Sequence, residues 1–425
     1  MMQPVKAPWI RPGVVIHDEA APVDGMLADF AQTLRQRGFA VGGLVQCDDR
    51  GRAGFRDLGS GETVSLDPAA ADAPALALAS RALRSAMRDD ADLVVIGRYA
   101  AFEHAARELK AAVERGMSPG LPVLTAIPAP ELPRWHGFVG AEGAMLAPSL
   151  DSLWRWWGPD RLYRDLALGV AEQAVRRVVC GRRWVMVEGP HGSGLAYLPK
   201  NPSSLLSKLA KLRRQSLSQL AELCQSWDSL EMAVGIAAIN AHYNRADLEG
   251  AAAGDGTGEF RGEGGRVVVI GSFPGQHELF PQAQVIDADP QPGEYPIVAI
   301  DTLVPGCAAA VVTSSTLVNR NLPRILRLTP GARVALTGPA TPLTPRLHDY
   351  GVEILGGLVV RDPGGLASAI EAGASPREFT RFGSYVHLRR RAADAGRRES
   401  MPSPPDSRFQ PTEARREARV AGASR

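Results

Sequence analysis

The chain has 425 residues, 45% hydrophobic and 22% charged, with a formal net charge of +2. That length is too great for one core and predicts about three domains, and the ordinary apolar share excludes a largely disordered chain. The near-neutral balance supplies no global field for nucleic acid or a membrane surface, and no apolar run approaches the ~20 residues of a membrane span.

Val14–Ile16 reads as a short strand ending at His17-Asp18, followed by a helix over about Met26–Arg37 with Leu27, Phe30, Ala31 and Leu34 on one face. Gly38 stops that helix and Ala40–Val45 forms a second strand. Arg50–Leu66 suits a β-hairpin, Ala75–Arg88 a helix, Asp92–Ile96 a buried strand, Phe102–Arg115 an amphipathic helix and Pro122–Ile127 another strand. Such alternation predicts a mainly parallel sheet covered on both faces. This first domain, 1–158, closes after Trp154, Trp156 and Trp157.

A second unit, 159–249, opens with a helix expected over Asp160–Val179, striped by Leu162, Leu166, Val170, Ala174 and Val178. Arg183–Glu188 and Leu195–Leu198 flank a Gly-Pro-His-Gly turn, and helices follow over about Ser203–Gln225 and Asp228–Tyr243, giving a small α+β domain. Residues 250–265, nearly all Gly, Ala, Asp and Glu, read as a flexible linker or exposed loop.

The third unit, 266–388, has strands at Arg266–Gly271, Gln284–Ile286, Ala308–Thr313, Arg333–Leu336 and Val352–Leu355. Helices at about Leu317–Leu328, Pro345–Tyr350 and Gly365–Ala372 connect them. The fold class is therefore α/β: two doubly wound, Rossmann-like or P-loop-like parallel-sheet domains with a small α+β domain between them. The Arg-, Pro- and Ser-rich tail 389–425 is expected to be disordered.

The four cysteines lack C-x-x-C spacing and suit buried reduced thiols, and residues 1–12 lack the apolar core of a signal peptide, so a cytoplasmic location is expected. No P-loop is present: none of the five lysines follows a glycine, and the turn after the first strand, His17-Asp-Glu-Ala-Ala-Pro-Val-Asp-Gly25, is acidic where phosphate needs donors. The first strand of the third unit ends in Gly271-Ser-Phe-Pro-Gly275 instead of G-x-G-x-x-G, and no G-x-S-x-G or zincin motif occurs. Nucleotide hydrolysis by the usual machinery is not expected.

Gly271-Ser-Phe-Pro274, Thr313-Ser-Ser-Thr-Leu-Val-Asn319, Leu336-Thr-Gly-Pro-Ala-Thr-Pro-Leu343, Asp349-Tyr-Gly351 and Gly356-Gly-Leu-Val-Val-Arg-Asp362 occur in this order. With Gly194-Leu-Ala-Tyr197 and Gly235-Ile-Ala-Ala-Ile-Asn240 upstream, residues 159–387 resemble the heavy-metal chelation family. That resemblance implies a Rossmann-like C-terminal domain preceded by an enolase N-terminal-like domain. Gly38–Gln46, Ala91–Tyr99 and Gly120–Ala126 are similar to a second bacterial family, nucleotide-phosphatase-like in its βαβ pattern and associated with molybdenum transport and nitrogen-fixation gene neighbourhoods.

Ligands of doubly wound sheets bind beyond the carboxyl ends of the strands. Ser272, Phe273 and Pro274 follow the first strand of the third unit, Thr313, Ser314 and Thr316 the third, and Gly338, Pro339 and Thr341 the fourth. With Asn319, these hydroxyls and N–H groups suit an anion or a small polar ligand, although Thr316 equally suits an N-cap. Asp287 could accept from a ribose-like hydroxyl or stand as a solvated loop acid, and Asn240, one turn before Asn244, could face the same cleft or bond between elements. His277, Cys307 and His348 are weaker metal-ligand candidates, since a lone His or Cys is more often packing. The basic face Lys200, Lys208, Lys211, Arg213, Arg214 reads as solvated.

The expectation is a non-hydrolytic protein that binds a small molecule, an oxyanion such as molybdate, or a metal complex between the second and third units, with a metal ion or molybdate as its cofactor class. Two alternatives stand beside it: an enzyme acting on a pterin-like or nucleotide-like compound, and a scaffold for a molybdenum transporter or nitrogenase-related complex. No nucleic-acid partner and no membrane span are expected, and a homo-oligomer is compatible with the sequence.

Overall fold

The structure is a computed structural model that describes residues 11–18, 21–49, 52–65, 73–86, 91–98, 122–133, 143–198 and 212–391. The β-branched run at the start forms β1 (Gly13–His17). In α1 (Val23–Gln36), Val23, Leu27, Phe30, Ala31 and Leu34 repeat at helical spacing, and that face is buried against the sheet. There follow β2 (Val41–Asp49), β3 (Arg52–Asp57), β4 (Thr63–Ser65), α2 (Ala73–Ala86), β5 (Leu93–Arg98), β6 (Val123–Pro128), β7 (Ala144–Leu146) and α3 (Leu150–Trp157). The strand order is β4-β3-β2-β5-β6-β1-β7. The pairs β2–β5, β5–β6, β6–β1 and β1–β7 are parallel, and β3 and β4 extend β2 antiparallel. The tryptophans of α3 pin this layer: Trp154 meets Phe30 edge-on at 5.2 Å and Trp157 meets Phe39 at 5.3 Å.

The helix expected over Asp160–Val179 is in fact a short helix, α4 (Leu162–Leu168), and a strand, β8 (Arg177–Cys180). Apolar spacing holds the helix only to Leu168, before Gly169; beyond it the β-branched Val178 and Val179 pair antiparallel with β9 (Trp184–Glu188). With β10 (Ser193–Tyr197) they make a three-stranded sheet in the order β10-β9-β8. Helix α6 (Ser229–Tyr243) packs on it, and α5 (Leu217–Glu222) packs on α6 and α4. Met232, Val234, Ile236 and Ile239 lie on different sides of α6 yet all are buried, so this helix is enclosed. A Cβ on Gly194 would overlap the backbone of α6 at Ala237 and Ala241, so only glycine lets β10 approach this closely.

The third sheet holds β11 (Ala252–Ala253), β12 (Val267–Ile270), β13 (Gln284–Asp287), β14 (Tyr295–Pro296), β15 (Ala309–Thr313), β16 (Arg333–Thr337), β17 (Ile354–Val360) and β18 (Gly383–Arg389). Their order is β11-β18-β17-β16-β15-β12-β13-β14, parallel from β17 to β14 and antiparallel at β18 and β11. β12 thus lies between β13 and β15, and the chain runs outward from it in both directions, which is the switch that opens a ligand crevice. Residues 250–265 are packed, not a free linker: β11 pairs with β18, and Phe260 is fully buried against Val269, Val311 and Ala335. The expected helix Leu317–Leu328 breaks into Ser315–Val318 and Leu322–Leu328, and Pro345–His348 is a 3-10 turn. The expected helix Phe102–Arg115 and the tail beyond 391 lie outside the described residues, as do Lys200, Lys208 and Lys211. Of that basic face, Arg213 donates through Nε to Val178 O and so covers the edge of β8.

Candidate functional site

The turns after β12, β15 and β16 meet. A Cβ on Gly271, which holds φ +87°, would overlap Thr313 Oγ1, and a Cβ on Gly338 would press on Ser314 Oγ. Ser314 N donates to Thr337 O at 2.7 Å, and Ala340 N donates to Ser314 Oγ at 3.3 Å. Glycine is required at Gly271 for both its left-handed φ and this approach.

Much of the polarity in this rim is spent on the chain itself. Thr313 donates to Ile270 O and shares a contact with Ser315 Oγ, and Thr316 donates back to Thr313 O at 2.7 Å, so Thr316 braces its own turn. Asp287 accepts from Ser272 N through one oxygen and from Asp289 N through the other. It props the first turn, and its side chain is already engaged where a ribose hydroxyl would need it. Ser272 and Pro274 are exposed, Phe273 is half-buried with its N–H on Gln276 Oε1, and Gly338 and Pro339 are half-buried. Asn319 is exposed, with Oδ1 accepting from Asn321 N.

The seam between α6 and the last sheet is built by two asparagines one turn apart. Asn240 Nδ2 donates to Leu195 O and Ala340 O, and Asn244 Nδ2 donates to Thr341 O and Leu358 O while its Oδ1 accepts from Leu343 N. Both alternatives weighed for Asn240 are thus realised: it faces the seam, and it bonds between elements. Asn240 Oδ1 and Thr341 Oγ1, each on a residue with 0% exposure, find no hydrogen-bond partner.

The three weaker metal candidates stand apart in role. His277 is exposed and lies 3.8 Å from Glu294 Oε1. His348 is buried with Nδ1 against Val352 O at 2.8 Å. Cys307 is buried, and burial pushes its thiol above the ordinary range. Among the described residues, no group of three or more His, Cys, Asp or Glu side chains could hold a metal ion. The amide and hydroxyl oxygens of the seam do not fit a bare soft metal ion, which selects thiolate or imidazole.

A structure of a DUF364-family protein from Desulfitobacterium hafniense is 30% identical, with a TM-score of 0.50, and the match covers 54% of this chain and 97% of that one. The chain belongs to the DUF364 family. Models for "Putative heavy-metal chelation" match residues 259–389 and, as a separate model of the same description, 163–243, so the chain carries two domains of metal-related binding families. A further DUF364-family structure, from Pyrococcus horikoshii, is 21% identical with a TM-score of 0.47 over 54% of this chain and 98% of its own. Residues 13–156 match a model described as "Protein of unknown function (DUF2478)". The N-terminal region is also similar to the molybdenum import ATP-binding protein ModC 2 of Bradyrhizobium diazoefficiens, 32% identical over 161 residues. That match covers 35% of this chain and only 18% of ModC 2. No helix among the described residues is long and apolar enough to cross a membrane.

Sequence reasoning missed the junction where the first sheet's domain meets this DUF364 pair. Asp165, fully buried in α4, accepts from Arg37 Nη1 at 2.6 Å, from Tyr350 Oη at 2.9 Å and from Arg346. Arg37 ends α1, pairs also with Asp349, and stacks over Trp154 at 4.7 Å. Two arginines therefore face two carboxylates from three parts of the chain. Burial works to lower the pKa of Arg37, but Asp165 and Asp349 together outweigh it and hold it above the ordinary value. Burial dominates at Asp349 and raises its pKa despite Arg37, and it drives Tyr350 well above its usual value, with Asp165 adding to the effect. Nothing in the spacing of Arg37, Asp165 and Asp349 announces this, because the three are brought together only by tertiary packing.

Arg320, next to Asn319, holds φ 60°, the only positive φ outside glycine among the described residues. Its guanidinium donates to Cys224 O and Ser226 O and lies over Tyr163 and Trp227, which offsets a conformation costing about 1–3 kcal/mol. The sequence signal was available as an Asn-Arg-Asn step breaking the helix expected there.

Proposed function

We propose that the chain binds a small organic chelator, or its metal complex, at the seam between α6 and the last sheet, in the handling of molybdenum or another heavy metal and without hydrolysing nucleotide. The observation that carries this is two buried, partnerless atoms: Thr341 Oγ1, two residues after the half-buried Pro339, and Asn240 Oδ1, whose amide donates to the intervening Ala340 O. A buried polar atom without a partner costs about 1–3 kcal/mol, and such atoms in native proteins call for a guest or an ordered water. Because Asn240 Nδ2 is committed to two carbonyls, Oδ1 is fixed as an acceptor and asks for an N–H or O–H. Molybdate presents only acceptors at neutral pH, whereas a hydroxyl- or amide-bearing chelator presents donors. The description shared by the two models matching residues 163–243 and 259–389 and the molybdenum import role of ModC 2 support the metal class.

Calorimetry and thermal unfolding of the full chain with catechol, ferric catecholate, sodium molybdate and zinc chloride test the reading. Catechol or its iron complex should bind and raise the melting temperature. Thr341→Val, nearly equal in volume, should stabilise the ligand-free chain yet weaken that binding about tenfold, the worth of one hydrogen bond near 1.4 kcal/mol. Binding unchanged in Thr341→Val would move the ligand elsewhere.

A further inference from the structure

The backbone that lines the seam and the backbone that meets the first-sheet domain are one continuous segment, residues 340–350. Its first part is held by two asparagines: Ala340 O accepts from Asn240, Thr341 O accepts from Asn244, and Leu343 N donates to Asn244 Oδ1 at 2.9 Å. Its second part is held by Arg37, which follows α1. Arg37 Nη1 lies 3.4 Å from Arg346 O, Arg346 Nη1 lies 3.3 Å from Arg37 O, and Arg37 also pairs with Asp349. Tyr350 adds an edge-on contact with Trp154 of α3 at 5.5 Å. Between Leu343 and Arg346 stand only Thr344 and Pro345.

This segment has little freedom to absorb a movement at one end. Leu343 and Leu347 are buried in the close-packed core, Pro345 fixes its own φ, and Thr344 caps the 3-10 turn over Pro345–His348. Tyr243, beside Asn244, donates to Leu166 O at 3.2 Å and meets the Thr344 hydroxyl, which ties the middle of the segment to α6 as well.

We propose that docking of the first-sheet domain regulates the seam: with Arg37 in place, residues 344–350 hold Ala340–Leu343 in the arrangement that binds ligand. This rests on the reading of the seam as a ligand site. Release of Arg37 loosens the second half of the segment, and a ligand must then order it again at a cost in affinity. By linkage, a ligand at the seam strengthens docking by the same factor. The first-sheet domain is thus a positive effector carried in the same chain. Asp165 keeps Arg346 and Tyr350 as partners when Arg37 is lost, so its buried charge stays compensated.

The test compares the full chain with its Arg37→Met variant, whose apolar stem still covers Trp154. Arg37→Met should quicken exchange of the Leu343 amide and weaken catechol binding, each about fivefold, the low end of coupling between sites. The β17–β18 ladder, where Leu355 faces Leu388, should exchange as slowly as in the wild type. An unchanged Leu343 amide overturns the proposal, and so does equal quickening throughout the last sheet, which marks a general loss of stability. Exchange is read without ligand, so it decides the coupling whether or not catechol binds, while failure of catechol to bind the wild type counts against the seam reading itself. Catechol that binds both proteins equally, or the variant more tightly, overturns the regulation and leaves the seam reading standing. Should Arg37→Met fail to fold, Arg37→Lys keeps the charge but cannot fork to both carboxylates. It should quicken the Leu343 amide to a smaller degree, and no change there overturns the proposal.

Discussion

In the last sheet, the turns leaving β12, β15 and β16 spend their polar groups on the chain itself: Thr313 on Ile270 O, Thr316 on Thr313 O, Asp287 on two backbone N–H groups. In the first sheet, the turn leaving β1 leaves a buried imidazole nitrogen without a partner and a helix start without a side-chain cap. Both edges occupy the topological place where parallel sheets receive ligands. The last sheet closes its edge and keeps its unpaired atoms deeper, at the seam with α6, whereas the first keeps its unpaired atom at the strand end. A hydroxyl-rich motif at a strand end can thus be scaffolding, while a single unspent lone pair marks the better candidate for chemistry.

The two regions are joined through Asp165, and removing it is the largest expected effect. Asp165→Leu takes the ion-pair partner from Arg346 and the acceptor from Tyr350, and leaves Arg37 with Asp349. Chemical unfolding should show a loss of about 3–5 kcal/mol, the usual cost of breaking a buried pair. The first-sheet domain should also unfold in a separate, earlier transition. A loss below about 1 kcal/mol would mean that the two sheets are held together elsewhere.

Next in size is Asn244→Leu, which asks whether the last sheet's edge is closed by the seam. The change deprives Thr341 O, Leu358 O and Leu343 N of their partner and should cost about 2–3 kcal/mol. Amide exchange should quicken at residues 338–344 and remain slow in β1 and β6. Equal quickening in both sheets would show that the edges are not independent.

The alternation of strands and helices was legible because β-branched runs such as Val267–Ile270 and helical stripes such as Leu27–Leu34 carry their periods locally. Boundaries failed where tertiary pairing overrode local pattern: Val178 and Val179 fit a helical stripe as well as a strand, and only β9 decides between them. Residues 250–265 read as unstructured by composition, yet Phe260 in the core and the pairing of β11 with β18 seat them. The meeting of Gly271, Thr313 and Gly338 could be anticipated from strand ends alone. Which hydroxyl spends itself on which carbonyl could not, because that depends on angles of a few degrees between neighbouring turns. The charged junction was illegible for a different reason: its members lie 128 and 312 residues apart.

The smallest effect concerns pH and separates the junction from both edges. Asp349 is a carboxylate whose folded pKa is raised, chiefly by burial. The fold therefore favours its protonated form, so its contribution to stability is full below the ordinary value of about 3.9 and is lost as pH rises through the raised folded value. The opposite sign would apply had Arg37 won. Asp349→Asn keeps an acceptor for Arg37 without the charge and should flatten stability across that window, while leaving the profile above it parallel to wild type. Urea unfolding at half-unit pH steps upward from about 3.5 measures this directly. If wild type instead gains stability more steeply than Asp349→Asn over the same steps, the attraction of Arg37 exceeds the cost of burial. The junction would then be an ion pair that favours docking of the first sheet's domain, not a contact the rest of the packing has to carry.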